Sequence, residues 1–228
     1  MVRVTVIKVG GSLLFNEEGE LRTEYVRTLI PVLKELSGSR KLVVVVGGGR
    51  AARKYIGYGR ELGLNEGSLD QIGILVSRLN AALLFSATYR AYPVVPATLD
   101  ELRLLLASGL PIVFMGGLQP GQSTTTAAAL AAEAFSGEFF IATDTDGVYD
   151  KDPKIFRDAK PLKKVYASDL LAMFGGHQRA GGYKLLDQLT LSIIQRSGLT
   201  VRVFKGDPAE NIRRAVEGED LGTLIVPA

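Results

Sequence analysis

No cysteine and no tryptophan occur in this 228-residue chain, and there is a single histidine, His177. Without thiols there can be no disulfide framework, no cysteine nucleophile, no thiolate zinc site and no iron–sulfur cluster. One histidine excludes a multi-histidine metal centre within one chain and leaves little room for a Ser-His-Asp machine; His177 reads as a loop residue. Any catalysis must lean on Lys, Arg, Asp, backbone amides or a carboxylate-bound cation. Blocks of one charge are missing too. The 27 basic and 24 acidic side chains are scattered and sum to +3, which is not a nucleic-acid footprint. No apolar run approaches the ~18 residues of a membrane helix. The opening MVRVTVIKVGGS reads as a strand and not as a secretory leader. The expectation is a soluble cytoplasmic protein that contacts neither nucleic acid nor membrane. A chain of this length can bury about 70% of its surface, so its core needs no staples.

What is abundant is glycine, 26 residues, and the apolar pattern shows where it falls. Val2–Val9, Leu42–Val46, Tyr92–Val95, Pro111–Met115, Phe139–Thr143, Thr200–Phe204 and Thr223–Val226 read as short strands. Helical periodicity predicts Glu24–Leu36, Ala51–Leu62, a long helix opening at Asp70 and running to about Tyr89, Leu99–Ala107 and Thr124–Phe135. Ala167–Phe174, Tyr183–Arg196 and Pro208–Val216 complete the set, with Lys151–Lys164 as an irregular excursion that could hold a short hairpin. Alternating strands and helices predict an α/β fold with a mostly parallel sheet covered by helices. No linker or repeat interrupts it, so 1–228 reads as one domain with an N-terminal and a C-terminal half.

At least four strand ends run straight into glycine: Gly10-Gly11-Ser12, Gly47-Gly48-Gly49, Gly116-Gly117, and Thr143-Asp144-Thr145-Asp146-Gly147. Ligands of open α/β sheets bind at the carboxyl ends of the strands, where glycine lets backbone N–H groups come close to an anion. Strand-to-helix turns also favour glycine for purely structural reasons, but four such loops together point to a chain of phosphates. There is no G-x-x-x-x-G-K-[ST] element, which excludes a P-loop NTPase. Gly47-x-Gly49-x-x-Ala52 has the form of a dinucleotide fingerprint, yet the acid at the right distance, Asp70, lies between two helical patterns and not at a strand end. Lys8 is the penultimate residue of the first strand. Its ammonium would emerge beside Gly10, Gly11 and Ser12, placed to neutralise a transferring phosphoryl group, or else escape to solvent.

The segments VIKVGGSLL, VVVVGGGRAARKYI, SLDQIGILVSRLNAALL, MGGLQPGQSTTTAAALAAE and ATDTDGVYDKDPK resemble the amino-acid kinase superfamily and, within it, the archaeal UMP kinases. The likeness is ordered and evenly spaced from residue 2 to 153 and looser beyond. It implies a three-layer αβα sandwich and the reaction ATP + UMP giving ADP + UDP, with Mg²⁺ carried on the nucleotide phosphates and no direct protein metal ligand. By resemblance, Lys8, Val9, Gly10, Gly11 and Ser12 wrap the ATP phosphates, with Lys8 and Asp144 catalytic and Asp144 orienting Lys8. Gly49, Arg53, Thr143, Asp144, Tyr149 and Asp152 serve ATP. Gly48, Asp70 and the loop Leu118, Gln119, Pro120, Gly121, Gln122, Ser123, Thr124 serve UMP, Asp70 through the ribose hydroxyls. Residues 1–136 would then be mainly the UMP and phosphate side, and 137–228 the ATP side. Read without the resemblance, Asp70 is an ordinary helix-start charge, and Ser123 or Thr124 an N-cap.

Two departures stand out. Ser192 occupies the place where relatives carry a lysine in a Pro-Leu-Ala-x-Lys pattern; either Lys184 or another cation substitutes, or turnover is lower. Asp144 stands where many archaeal relatives have asparagine. Isopentenyl phosphate kinases carry a histidine in the second glycine loop, and this chain has Gly49-Arg50-Ala51-Ala52-Arg53 there. Another small-molecule kinase of the fold, or a nucleotide-binding regulatory or storage protein that lost transfer, remains as the alternative. The family also implies a homohexamer built as a trimer of dimers, and the apolar stretch Ile72–Leu84 is either an interface helix or core.

Overall fold

Runs of β-branched residues make the first two strands, β1 (Val4–Val9) and β2 (Lys41–Val46), and β2 is buried on both faces from Leu42 to Val46. The computed structural model describes residues 4–153, 155–174 and 186–227. The connection between β1 and β2 holds a four-residue helix α1 (Gly11–Leu14) and α2 (Thr23–Leu36). After β2 come α3 (Gly49–Glu61), α4 (Glu66–Tyr89), α5 (Leu99–Ala107), β3 (Ile112–Met115), α6 (Thr124–Ala134) and β4 (Glu138–Thr143). The rest is β5 (Lys164–Tyr166), α7 (Ala167–Phe174), α8 (Gln188–Arg196), β6 (Val201–Lys205), α9 (Glu210–Val216) and β7 (Thr223–Val226).

The seven strands form one sheet in the order β3-β2-β1-β4-β6-β7-β5, parallel throughout except for the antiparallel β6–β7 pair. Period-2 alternation splits the core in two. Val6, Val43, Val45 and Ile141 face α5, α6, α7 and α8; Ile7, Val9, Val44 and Ala142 face α1, α2, α4 and α9. The result is the expected three-layer αβα sandwich. Ala127, Ala128, Ala129, Ala131 and Ala132 are fully buried in α6, and their small side chains let that helix lie close over the sheet.

Several sequence-based boundaries move. Tyr92–Val95 is not a strand. Pro93 and Pro96 remove ladder donors, and Tyr92 is 90% exposed. The outer edge of β3 is met at Ile112 by a side chain: the Tyr89 hydroxyl donates to Ile112 O (2.9 Å) and accepts from Ile112 N (3.0 Å). The long helix opens at Glu66, because Asn65 caps it by accepting from Ser68 N (2.9 Å), so Asp70 lies in its second turn. This is the one helix among the described residues long and apolar enough to cross a membrane, and here it packs on β2 and β3. The helix expected from Tyr183 begins at Gln188, capped by Asp187; Tyr183, Lys184, His177 and the Gly175-Gly176 and Gly181-Gly182 pairs lie outside the described residues. Strand β5, three residues long, gave no periodic signal. The 151–164 excursion is irregular, tied by a Tyr149–Pro161 bridge and a Lys151–Asp158 ion pair (2.6 Å).

Candidate active site

From β1 the chain proceeds outward to β2 and β3, then crosses back to β4 on the other side of β1. This reversal makes the carboxyl ends of β1 and β4 a topological switch point, where open α/β sheets hold their ligands. The loops that follow β1, β2 and β4 meet there around a cleft of about 280 Å³. Lys8, Gly10, Gly11, Ser12, Gly48, Gly49, Arg53, Thr124, Thr143, Asp144 and Asp152 all line it. Gly47 and Thr145 line it as well; both lie in the singled-out loops and had been given no role.

The glycines answer to packing as well as to the cleft. A Cβ on Gly11 would stand 2.2 Å from Gly49 N and 2.3 Å from Gly49 Cα, and one on Gly47 would stand 2.7 Å from Gly11 N. Gly49 also has φ +63°. The two loops therefore dock backbone to backbone, which only glycine permits, and that close docking is what sets their N–H groups around one space.

Lys8 follows Val6 on the α6 side of β1, between the fully buried Ile7 and Val9. Burial lowers its pKa from 10.5 to about 8, and the charge of Asp144 opposes the shift. Arg53 projects from the first turns of α3 as the second cation of the lining and is exposed. The Thr143 hydroxyl donates to Asp144 Oδ1 (3.2 Å), holding that carboxylate at the end of β4. Tyr149 stands beside the cleft without lining it. Its hydroxyl donates to Asp146 Oδ2 (3.4 Å), and its pKa is raised by burial and then by the Asp146 charge.

Other expected residues form a neighbouring group on the β3 side. Asp70 Oδ2 accepts from Gly121 N (2.8 Å), so the α4 carboxylate and the 118–124 loop do come together. Gln119 O accepts from Gln122 N (3.3 Å), making Leu118 to Gln122 a tight turn around Pro120, with Gly121 at φ +81°. Ser123 is the N-cap of α6, accepting from Thr125 N and Thr126 N, and Thr124 opens the helix and reaches the cleft. The capping reading of Ser123 is borne out, and the same segment reaches the cleft through Thr124. Val9 is the exception: its side chain points into the opposite core, and only its carbonyl, which accepts from Gly47 N (3.0 Å), takes part.

Asp187 was not foreseen. Its carboxylate accepts from the Ser123 hydroxyl, the Thr126 hydroxyl (3.0 Å) and Thr190 N (2.7 Å), tying the start of α8 to the start of α6. Its signal was an N-cap Asp, hidden by a helix drawn from Tyr183. Also unforeseen are Ser77, Arg78 and Asn80 of α4, which bond to the glycine loop after β2 and to Gly117 after β3. Ser192 does not line the cleft. It is exposed, and its hydroxyl donates to Gln188 O (2.9 Å) within its own helix.

The sequence pattern of the Amino acid kinase family matches residues 3–205. A protein of Thermofilum pendens named uridylate kinase is 53% identical over 225 residues, 97% of each chain. Another, from Methanothermobacter thermautotrophicus, is 41% identical over 97% of this chain and 98% of its own. The crystal structure of uridylate kinase from Archaeoglobus fulgidus superposes with a TM-score of 0.84 at 38% identity, covering 98% of this chain and all of that one. UMP kinase from Ureaplasma parvum, 20% identical, shares the fold with a TM-score of 0.81 over 99% of both chains. With the switch-point cleft, the docked glycine loops and Lys8 between them, this chain belongs to the amino acid kinase family and, within it, to the archaeal-type UMP kinases.

Proposed function

We propose that the protein transfers the γ-phosphoryl group of ATP to UMP, giving ADP and UDP. The observation that carries this reading is Lys8, a half-buried lysine whose ammonium opens into a cleft walled by three strand-end loops. Full-length likeness to relatives named uridylate kinase supplies the acceptor. A UMP phosphate oxygen attacks the γ-phosphorus in line, the new P–O bond forms as the bond to the β-phosphate oxygen breaks, and ADP leaves with that electron pair. The acceptor phosphate is already ionised near neutral pH, so no general base is needed. Lys8, Arg53 and the amides of the glycine loops stabilise charge on the transferring group. Asp144 holds Lys8 charged. Oxygen donors at the cleft, Ser12, Thr145 and Asp144, suit Mg²⁺ bound chiefly through the nucleotide phosphates, where it supplies charge neutralisation.

Thr143, Asp144, Tyr149 and Asp152 on the β4 side receive ATP, and Gly48, Asp70 and residues 118–124 on the β2–β3 side receive UMP. Asp70 keeps Oδ1 for the ribose hydroxyls while Oδ2 holds Gly121. ATP and UMP as substrates support a cytoplasmic site of action. The two halves of one domain thus divide acceptor and donor. A homohexamer assembled from dimers is supported by an exposed apolar face: Leu75, Leu79 and Leu83 repeat at every fourth residue of α4, beside Tyr55, Tyr58 and Leu62 of the α3 hairpin.

A coupled ADP-release assay with UMP, CMP, dUMP and isopentenyl phosphate tests the reading. UMP should be the preferred acceptor, Lys8→Ala should cut turnover by orders of magnitude, and Asp70→Asn should raise KM for UMP about tenfold while KM for ATP stays put. No release with any acceptor would leave the non-catalytic nucleotide-binding reading.

A further inference from the structure

One turn of α4 touches both the glycine loop after β2 and the loop after β3. Asn80 is 6% exposed, and its Nδ2 donates to Gly47 O (3.0 Å) and Gly48 O (3.3 Å). Arg78 donates from Nε to Gly117 O (3.0 Å) and from Nη2 to Leu118 O (2.8 Å) and Ala97 O (3.3 Å). Between them Ser77 accepts from Gly117 N (2.8 Å) while donating to Ile74 O (2.7 Å). The end of β3 is pressed onto this turn, since a Cβ on Gly116 would stand 2.6 Å from Arg78 N.

Peptide geometry gives these bonds a consequence in the cleft. In a trans peptide the carbonyl of one residue and the N–H of the next point in opposite directions. Among the described residues the only cis peptide is Asp207–Pro208. With the carbonyls of Gly47 and Gly48 turned onto Asn80, and that of Gly48 also accepting from Ala52 N (3.2 Å) at the start of α3, the N–H groups of Gly48 and Gly49 point away from α4. With those of Gly117 and Leu118 turned onto Arg78, the N–H groups of Leu118 and Gln119 do likewise. Among the described residues none of these four N–H groups has a hydrogen-bond acceptor, while their carbonyls are bound. Four amides with bound carbonyls and no acceptor are donors kept for an anion.

We propose that Asn80 and Arg78 are positioning residues for phosphoryl transfer, Asn80 aiming the amide of Gly48 at UMP and that of Gly49 at the ATP phosphates, and Arg78 aiming those of Leu118 and Gln119 at UMP. The inference rests on the phosphotransfer reading above for the identity of the two ligands. It adds that donor and acceptor loops are set in register by one rigid element, so their separation does not depend on either loop alone. Arg78 acts with no carboxylate in ion-pair range among the described residues; three carbonyl dipoles hold its charge. A lysine there keeps the charge but loses the fork that gathers carbonyls from two segments.

The test compares the full-length wild type with Asn80→Asp, Asn80→Ser, Arg78→Lys and a control, Thr88→Val. Thr88 is buried on the same helix, and its hydroxyl bonds only Leu84 O (2.7 Å), remote from either loop. ADP and UMP binding by calorimetry, KM and kcat for both substrates and Tm are measured for each. Arg78→Lys should weaken UMP about tenfold and leave ADP within twofold. Asn80→Asp, which turns a donor into an acceptor facing two carbonyls, should weaken ADP and UMP about tenfold each and lower kcat, with Asn80→Ser, which keeps one donor, in between. Thr88→Val should lower Tm with binding unchanged. If the Asn80 and Arg78 variants lose Tm like Thr88→Val while every binding constant and kcat stays within twofold, the two side chains are structural only and the proposal fails. A wild type that binds ADP and UMP but releases no ADP defeats the kinase reading instead, and the binding constants still decide the role of Asn80 and Arg78.

Discussion

Lys8 lowers the stability of the fold that displays it. Its side chain is half-buried and its ammonium partly desolvated, and the depressed pKa means the folded chain binds fewer protons than the unfolded one between pH 8 and 10.5. Stability therefore rises across that window, is fully present above 10.5, and is lost as pH falls through about 8. A shift of that size corresponds to roughly 3 kcal/mol at pH 7. Lys8→Met should accordingly raise Tm at pH 7, and the gain over wild type should vanish near pH 10.5, as thermal unfolding at both pH values would show. The same variant should be inactive. In the wild type, kcat/KM for ATP should fall above pH 8 as the free lysine loses its proton, a limb that Lys8→Met activity cannot reproduce. Lys8 was legible because it breaks an apolar strand beside glycine. Asn80 and Arg78 were not, because a polar residue inside a helical stripe says nothing of what it faces until β2 and β3 are laid against it.

The elements most legible in the sequence are those with a strong period, and the errors fall where a side chain or a cap decides the matter. Tyr92–Val95 has strand composition but no neighbour, since Tyr89 already fills the edge at Ile112. β5 is too short to show a period and exists because β7 offers it a ladder. Helix α8 begins where Asp187 can cap it, and that carboxylate also holds the Ser123 and Thr126 hydroxyls of α6. Asp187→Ala removes a cap and leaves two hydroxyls without their acceptor, a cost of about 1–2 kcal/mol. Denaturant unfolding should show that loss, and KM for UMP should rise because Ser123 no longer has a fixed partner at the end of the acceptor loop. An unchanged KM would separate the α6–α8 tie from acceptor binding. Ser192, turned onto Gln188 O, leaves the cations of the described cleft to β1 and α3.

For the whole molecule, sheet composition and parallel character could be read from strand–helix alternation, but strand order could not. Nothing local distinguishes a chain that continues outward after β3 from one that crosses back to β4, and that crossing creates the switch point. The apolar stretch Ile72–Leu84 was left between core and interface, and the structure buries one side of α4 while leaving the other exposed. Its inward side carries Ser77, Asn80 and Leu84, while Leu75, Leu79 and Leu83 stay exposed. Leu79→Glu, at a site 68% exposed, should leave the Tm of the subunit nearly unchanged but shift light-scattering mass to a smaller assembly. An unaltered mass would move the interface elsewhere.

The Tyr89 hydroxyl that grips Ile112 from both sides does at the open margin of the sheet what a further strand would do there. Burial raises its pKa, so it stays protonated and able both to give and to take a hydrogen bond. A partly unfolded neighbour in a crowded or heated solution finds that residue of the margin already occupied, and cannot template there the strand-by-strand growth that leads to fibrils.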